Sequence, residues 1–244
     1  MLRGACPECR EILRCAQNDK KRRARNDRMG SSTMKTLIQC DFDGTITDED
    51  TSFILLDAFA RGDWRLLLRQ YKEHRISVGE FNTKAFAMVK ADKPMLLEAL
   101  KDKVKIRAGF QELVNYCSKR GFRLVIVSNG LDFYIKAVLE ELGLEDIEVY
   151  AAWTNFHTKG LEVRYLGPDG NQLDSGLKEA YIKLFLGQGY RVVYVGNGDS
   201  DIPAAQYAHQ IFATGELLTY CRQNKLECKR FDDFADVVRV LRLL

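Results

Sequence analysis

Three apolar runs set the terms on which this chain can fold. Leu37-Ile38-Gln39-Cys40, Phe122-Arg123-Leu124-Val125-Ile126-Val127 and Arg191-Val192-Val193-Tyr194-Val195 are short, and each stops at a polar, glycine-containing turn. Runs without strict polar alternation fit strands covered on both faces. Helical spacing lies between them. Phe110, Leu113, Val114 and Cys117 precede a stop at Gly121, a second helix runs from about Leu131 to Leu142 before Gly143, and a third carries Lys178 to about Leu186. Strands alternating with helices predict an α/β fold with a doubly wound, mostly parallel sheet. Val149–Ala152 is expected as a third strand, residues 153–175 as a β-hairpin turning at Pro168-Asp169-Gly170-Asn171, and Gln210–Thr214 as a further short strand.

The alternation is interrupted once. Between the first run and Ala108 come Phe53, Leu55, Leu56 and Phe59, then Trp64, Leu67, Leu68 and Tyr71, then Phe81, Ala85, Phe86 and Val89, then Leu96, Leu97 and Leu100. Breaks at Gly62, Ser77-Val78-Gly79 and Asp92-Lys93-Pro94 divide them into about four short helices, with Asp48-Glu49-Asp50 as an acidic start. Residues 51–104 therefore read as a helical insertion in a core made of 34–50 and 105–244.

The 244 residues are enough for one such domain. No apolar stretch reaches the roughly 20 residues of a membrane span. The net charge of +3 is uneven: residues 1–33 hold nine Lys/Arg and four Asp/Glu, a net +5, and the remaining 28 and 30 give −2. The body is thus not a basic nucleic-acid binder. The first 33 residues lack apolar periodicity and a signal-peptide core, and they resemble translated intergenic sequence ahead of a start at Met34; they are expected to be disordered. Cys6 and Cys9 are half a zinc pattern without its other half. Cys40, Cys117, Cys221 and Cys228 read as scattered reduced thiols, which points to the cytoplasm.

The strand ends carry the chemistry. Asp41 and Asp43, two apart on extended chain after the first run, can face one site, where their repulsion calls for a cation or a shared proton. Ser128-Asn129-Gly130 and Gly196-Asn197-Gly198-Asp199-Ser200-Asp201 end the other two runs. In parallel sheets ligands bind beyond such carboxyl ends. Oxygen donors without His or Cys suit Mg²⁺, which commonly partners phosphate. No Gly-x-x-x-x-Gly-Lys-Ser/Thr cradle is present, so the open route to phosphoryl chemistry is a carboxylate nucleophile. Each residue also has an ordinary reading: a solvated Asp-Gly turn, Ser128 as a helix N-cap, Lys178 as a helix-face lysine, and Arg107 in substrate binding or in a salt bridge. His74, His157 and His209 have no ligand spacing.

In this order the motifs resemble the haloacid dehalogenase-like phosphatase superfamily: Asp41–Thr45 its first, Ser128 its second, Lys178 its third and Gly196–Asp201 its fourth, over essentially all of residues 34–244. The resemblance implies a Rossmann-like core with residues 51–104 as a small helical cap, in the phosphoserine phosphatase-like branch. Asp41–Thr47, Lys105–Phe110, Ser128–Phe133 and Leu217–Cys221 are closest to a methionine-salvage group within it. It implies a small phosphorylated metabolite as partner, with neither nucleic acid nor membrane. Asp41 would be the nucleophile and Asp43 the acid/base. Ser128 and Lys178 would hold the phosphoryl group, with Thr45, Asn129 and Gly130 also binding substrate. Asp41, the Asp43 carbonyl and the fourth motif would hold Mg²⁺. One position departs: Asn197 stands where the family usually has Asp. The expectation is Asn197 as direct ligand, with Asp201 behind it, either supporting a ligand or acting through water, or else Asp199 supplying a carboxylate. A phosphotransferase with the same intermediate, and a weakened phosphate-binding or regulatory protein, are the alternatives. The cap chooses the substrate by no code readable in the sequence, and oligomeric state is not readable either.

Overall fold

The computed structural model describes residues 34–243; the basic leader, with Cys6 and Cys9, lies outside them. One eight-stranded sheet runs β5-β4-β3-β2-β1-β6-β7-β8. At its centre is β1 (Thr36–Cys40), where Leu37, Ile38, Gln39 and Cys40 are fully buried because helices cover both faces. It pairs in parallel with β2 (Arg123–Leu131) and β6 (Arg191–Gly196). Cys40 is level with Ile126 and with Val195, so β1 and β6 end side by side while β2 runs on past them to Leu131. The topology reverses between β1 and β6. From there β2 leads to β3 (Glu148–His157), and β6 leads to β7 (Gln210–Ala213) and β8 (Lys229–Arg230).

Four helices follow β1 as expected: α1 (Thr51–Phe59), α2 (Trp64–Lys72), α3 (Val78–Phe86) and α4 (Lys93–Leu100). Each begins at a residue whose side chain accepts a first-turn N–H: Asp50, Asp63, Ser77 and Asp92. Then come α5 (Phe110–Arg120), α6 (Asp132–Glu141) after β2, and α7 (Leu177–Gly187), which carries Lys178.

The hairpin differs from its expected form. β3 has ten residues, so Val149–Ala152 is only part of it. It pairs in parallel with β2 and then antiparallel with β4 (Gly160–Leu166), which pairs with β5 (Gln172–Leu173). Trp153, Thr154 and Phe156 are strand formers that prolong the run without a break. The hairpin widens the sheet and supports the cap. The Ser77 hydroxyl donates to the Asp174 carbonyl at 3.0 Å, and a Cβ at Gly79 would collide with that same carbonyl. Four elements lie beyond those expected: α8 (Ile202–Ala205), α9 (Gly215–Gln223), β8 and α10 (Phe234–Leu241).

Candidate active site

Beyond the carboxyl ends of β1, β2 and β6 lies a cavity of about 340 Å³. Its floor includes Asp41, Asp43, Ser128, Asn129, Gly130, Lys178 and Asn197, so the strand register brings seven expected residues together.

Asp41 leaves β1 with its N–H donating to the Val195 carbonyl at 2.9 Å, and the residue is 4% exposed. Lys178 Nζ, rising from the first turn of α7, donates to Asp41 Oδ1 at 2.9 Å, to Asp201 Oδ1 at 2.6 Å and to Ser200 Oγ at 3.2 Å. Burial alone would lower the ammonium's pKa, but the charges of Asp201 and Asp41 outweigh it and raise it well above the usual lysine value. Lys178 is therefore a fixed positive charge under the cavity. Burial, then the Asp201 charge, pushes Asp41 up to about 7 against the pull of Lys178.

Asp43 is held on two sides. Its Oδ1 accepts the Thr51 N–H at 2.9 Å and its Oδ2 accepts the Tyr134 hydroxyl at 2.6 Å. Burial, then the Asp50 charge, pushes Asp43 up to about 8. Gly130 is required here, because a Cβ would strike both the Tyr134 hydroxyl and Asp43 Oδ2. Ser128 Oγ accepts the Gly130 N–H at 3.0 Å, which leaves the hydroxyl proton available to an acceptor in the cavity. Ser128, Asn129 and Gly130 lie within β2 and not after it, at an irregular step in its pairing with β3.

Two expected site residues lie elsewhere. Thr45 is fully buried and outside the cavity lining; its hydroxyl donates to Asn197 Oδ1 at 3.0 Å, so it orients Asn197 and does not face substrate. Asp201 is also fully enclosed. Its Oδ1 accepts Lys178 and, at 2.6 Å, the Tyr194 hydroxyl; its Oδ2 accepts the Asn197 and Gly198 N–H groups at 2.9 and 2.8 Å. With four donors around it, Asp201 braces the fourth-motif turn from behind Asn197, the indirect place expected of it. Arg107 makes no salt bridge among the described residues. It donates to the Thr45 and Gly44 carbonyls at 2.8 and 2.9 Å and to the Asp232 carbonyl at 3.1 Å, clamping the turn after Asp43.

The donor chemistry fits a hard divalent cation. Among the described residues no three His, Cys, Asp or Glu side chains cluster to hold a metal unaided. The set that fits is mixed: the Asp41 carboxylate, the Asp43 carbonyl and the Asn197 amide oxygen, completed by water and phosphate as Mg²⁺ prefers. Asp199 also lines the cavity, where its carboxylate lies 3.8 Å from the Lys72 ammonium.

With this geometry in place, the comparisons with known proteins are decisive for the family. Residues 38–206 match the model of the haloacid dehalogenase-like hydrolases. The chain belongs to the haloacid dehalogenase-like hydrolase family. It is 31% identical over 211 residues to an enzyme of Geobacillus thermodenitrificans named 2-hydroxy-3-keto-5-methylthiopentenyl-1-phosphate phosphatase, covering 84% of this chain and 94% of that one. A like-named enzyme of Brevibacillus brevis is 27% identical over 212 residues, covering 85% and 96%. Among solved structures, a phospho-aspartyl intermediate analogue of phosphoserine phosphatase superposes with a TM-score of 0.64 at 19% identity, covering 85% of this chain and 99% of that one. A phosphoserine phosphohydrolase-like protein of Francisella tularensis gives 0.63 at 21%, covering 85% and 99%. At such identity these two show the fold alone, the α/β fold this hydrolase was expected to have.

Sequence reasoning missed Tyr134, Tyr194 and Asn82, whose positions in the hydrolase are set by long-range packing. Tyr134 follows Phe133 on α6, and no local signal says that its hydroxyl reaches Asp43.

Proposed function

We propose that this hydrolase is a Mg²⁺-dependent phosphomonoesterase for a small phosphorylated metabolite, working through an aspartyl-phosphate on Asp41. The supporting observation is the pair at the cavity floor: Asp41 set against the Lys178 ammonium at 2.9 Å, and Asp43 held by the Tyr134 hydroxyl at 2.6 Å and the Thr51 N–H at 2.9 Å, its carboxyl pushed up by burial. The Asp41 carboxylate attacks phosphorus and forms an O–P bond as the ester O–P bond breaks. Asp43 gives its proton to the leaving alkoxide, then as a carboxylate takes one from the water that cleaves the acyl phosphate. Lys178 and the Ser128 hydroxyl hold the equatorial oxygens beside Asn129, with the Gly130 N–H aiming the Ser128 hydroxyl. Asp41, the Asp43 carbonyl and Asn197 would hold Mg²⁺, which when bound neutralises phosphate charge and fixes the in-line approach.

The cap supports a largely neutral substrate. Phe53, Leu68, Val78 and Phe81 give the cavity an apolar upper wall. Lys72 also lines it, but its ammonium is engaged by Glu216 at 2.7 Å. An amino-acid ester would need a cation for its carboxylate. A substrate of the kind named for the relatives, with hydroxyl, keto and thioether groups, fits this wall better than phosphoserine. Cys40, Cys117, Cys221 and Cys228 are free thiols, in keeping with a cytoplasmic site of action, and no described helix is long and apolar enough to cross a membrane.

The test is hydrolysis of p-nitrophenyl phosphate with and without Mg²⁺. Asp41→Asn is expected to lose activity by on the order of 10³-fold or more, and a rapid acid quench should leave a phosphoryl adduct on Asp41 by mass spectrometry. An Asp41→Asn protein that turned over normally would sink the mechanism.

A further inference from the structure

One polar side chain of the cap has only half its hydrogen-bonding capacity engaged. Asn82 of α3 is 5% exposed and lines the cavity. Its Nδ2 lies 3.0 Å from the Asn129 carbonyl and 2.5 Å from the Tyr165 hydroxyl, and that hydroxyl donates to the Asn129 carbonyl at 2.7 Å. The network fixes how the amide is turned. A carbonyl oxygen can only accept, and the one phenolic proton is already directed to Asn129, so the Asn82 atom facing both must be the NH₂ group. Asn82 Oδ1 therefore lies on the other side. No described residue donates to it, and it is not among the polar atoms sealed inside the protein without a partner, so it opens on the cavity.

Its surroundings say what it would meet. The neighbouring cap wall is apolar, so a ligand that fills the cavity displaces water from this oxygen and must replace the lost hydrogen bond. Asn129, to which Asn82 is tied, directly follows Ser128. The donor is thus bonded close to the phosphate-bearing carbon. A neutral amide oxygen suits a hydroxyl, whereas an ammonium calls for a carboxylate when desolvated and would be drawn to Asp48, Asp50, Asp199 or Glu216, which line the same cavity.

We propose that Asn82 is a specificity-determining residue whose Oδ1 accepts a hydrogen bond from a substrate hydroxyl on the carbon next to the phosphate-bearing one. Tyr165 is its positioning residue, holding the amide in the one orientation that presents oxygen to the cavity. The role rests on the phosphatase reading above. It adds discrimination, because an ester lacking the hydroxyl leaves a buried acceptor unpaired.

The experiment compares kcat/KM for 2-hydroxybutyl phosphate, butyl phosphate and 2-aminobutyl phosphate with Mg²⁺, in the full chain and in Asn82→Leu and Asn82→Ala. The wild type is expected to prefer the hydroxy ester over the deoxy ester by about tenfold or more. That ratio should collapse to within about threefold of unity in both variants. A wild-type ratio near one overturns the proposal without any variant, as does a folded Asn82 variant that keeps the wild-type ratio, or a preference for the amino ester. Turnover of p-nitrophenyl phosphate separates the two levels. If the wild type cleaves it but shows no hydroxyl preference, only the role of Asn82 falls. If the wild type cleaves none of the four esters, the phosphatase reading falls and takes this role with it.

Discussion

Tyr134 and Asn197 show what a single residue does to this site. The Tyr134 hydroxyl hydrogen-bonds the Asp43 carboxylate and so lowers its pKa, against the burial and the Asp50 charge that raise it. Tyr134→Phe removes the lowering contribution, so the Asp43 proton should be lost at higher pH. The alkaline limb of the kcat/KM–pH profile is expected to move upward, and a profile measured on both proteins checks it. Asn197 brings an uncharged oxygen where a carboxylate would bind a cation more strongly. Asn197→Asp should lower the Mg²⁺ concentration for half-maximal activity by about tenfold, read from a metal titration. The aspartates were legible because both acids sit on one short stretch whose extended backbone fixes their spacing. Tyr134, Thr45 and Arg107 were not. What they touch depends on elements tens of residues away, and a buried tyrosine looks the same in the sequence whether its hydroxyl meets a catalytic acid or a carbonyl.

At the scale of elements, the cap is joined to the core by more than its two chain crossings. The start of α3 packs against the end of the hairpin, where the Ser77 hydroxyl meets the Asp174 carbonyl and Gly79 leaves room for that carbonyl. Gly79→Ala must displace one of the two backbones. The expected outcome is a loss of roughly 1–3 kcal/mol in denaturant unfolding, together with a rise in KM as α3 carries Asn82 away from Asn129. The four cap helices were readable because each has its own apolar spacing and a capping Asp or Ser. The length of β3 was harder to read. Its second half, Trp153–His157, pairs with β4 on one side only, so its pattern is that of an edge ribbon and not of the covered strands that define the centre. Nothing within 153–175 announces that this hairpin is a buttress for residues 77–82, because that contact is made across the chain.

For the molecule as a whole, burying two acids above one lysine has an energetic consequence. The folded values of Asp41 and Asp43, about 7 and about 8, lie above the ordinary 3.8 of an exposed aspartate, so the folded state binds more protons. Their contribution to stability is complete below about pH 4 and is lost as pH rises through 7 to 8. Metal-free protein should therefore melt at progressively lower temperature across that window, and Asp43→Asn should lose less over it than the wild type. Because Mg²⁺ favours the ionised Asp41, its stabilisation should be larger at pH 8 than at pH 6 in thermal melts with Mg²⁺ or EDTA. The order of strands and the meeting of their ends were legible in the sequence, since a doubly wound sheet has few ways to connect. How the cap closes over them was not. Its α3 side is fixed by packing, while its α2 side meets the core through Lys72, whose ammonium is 2.7 Å from Glu216 and about two-fifths exposed. An exposed ion pair of this kind is screened by dissolved salt, whereas the packed side is indifferent to it. The two flanks of the helical segment should therefore part company as salt is raised, the Lys72–Glu216 contact weakening while the Ser77–Asp174 contact holds.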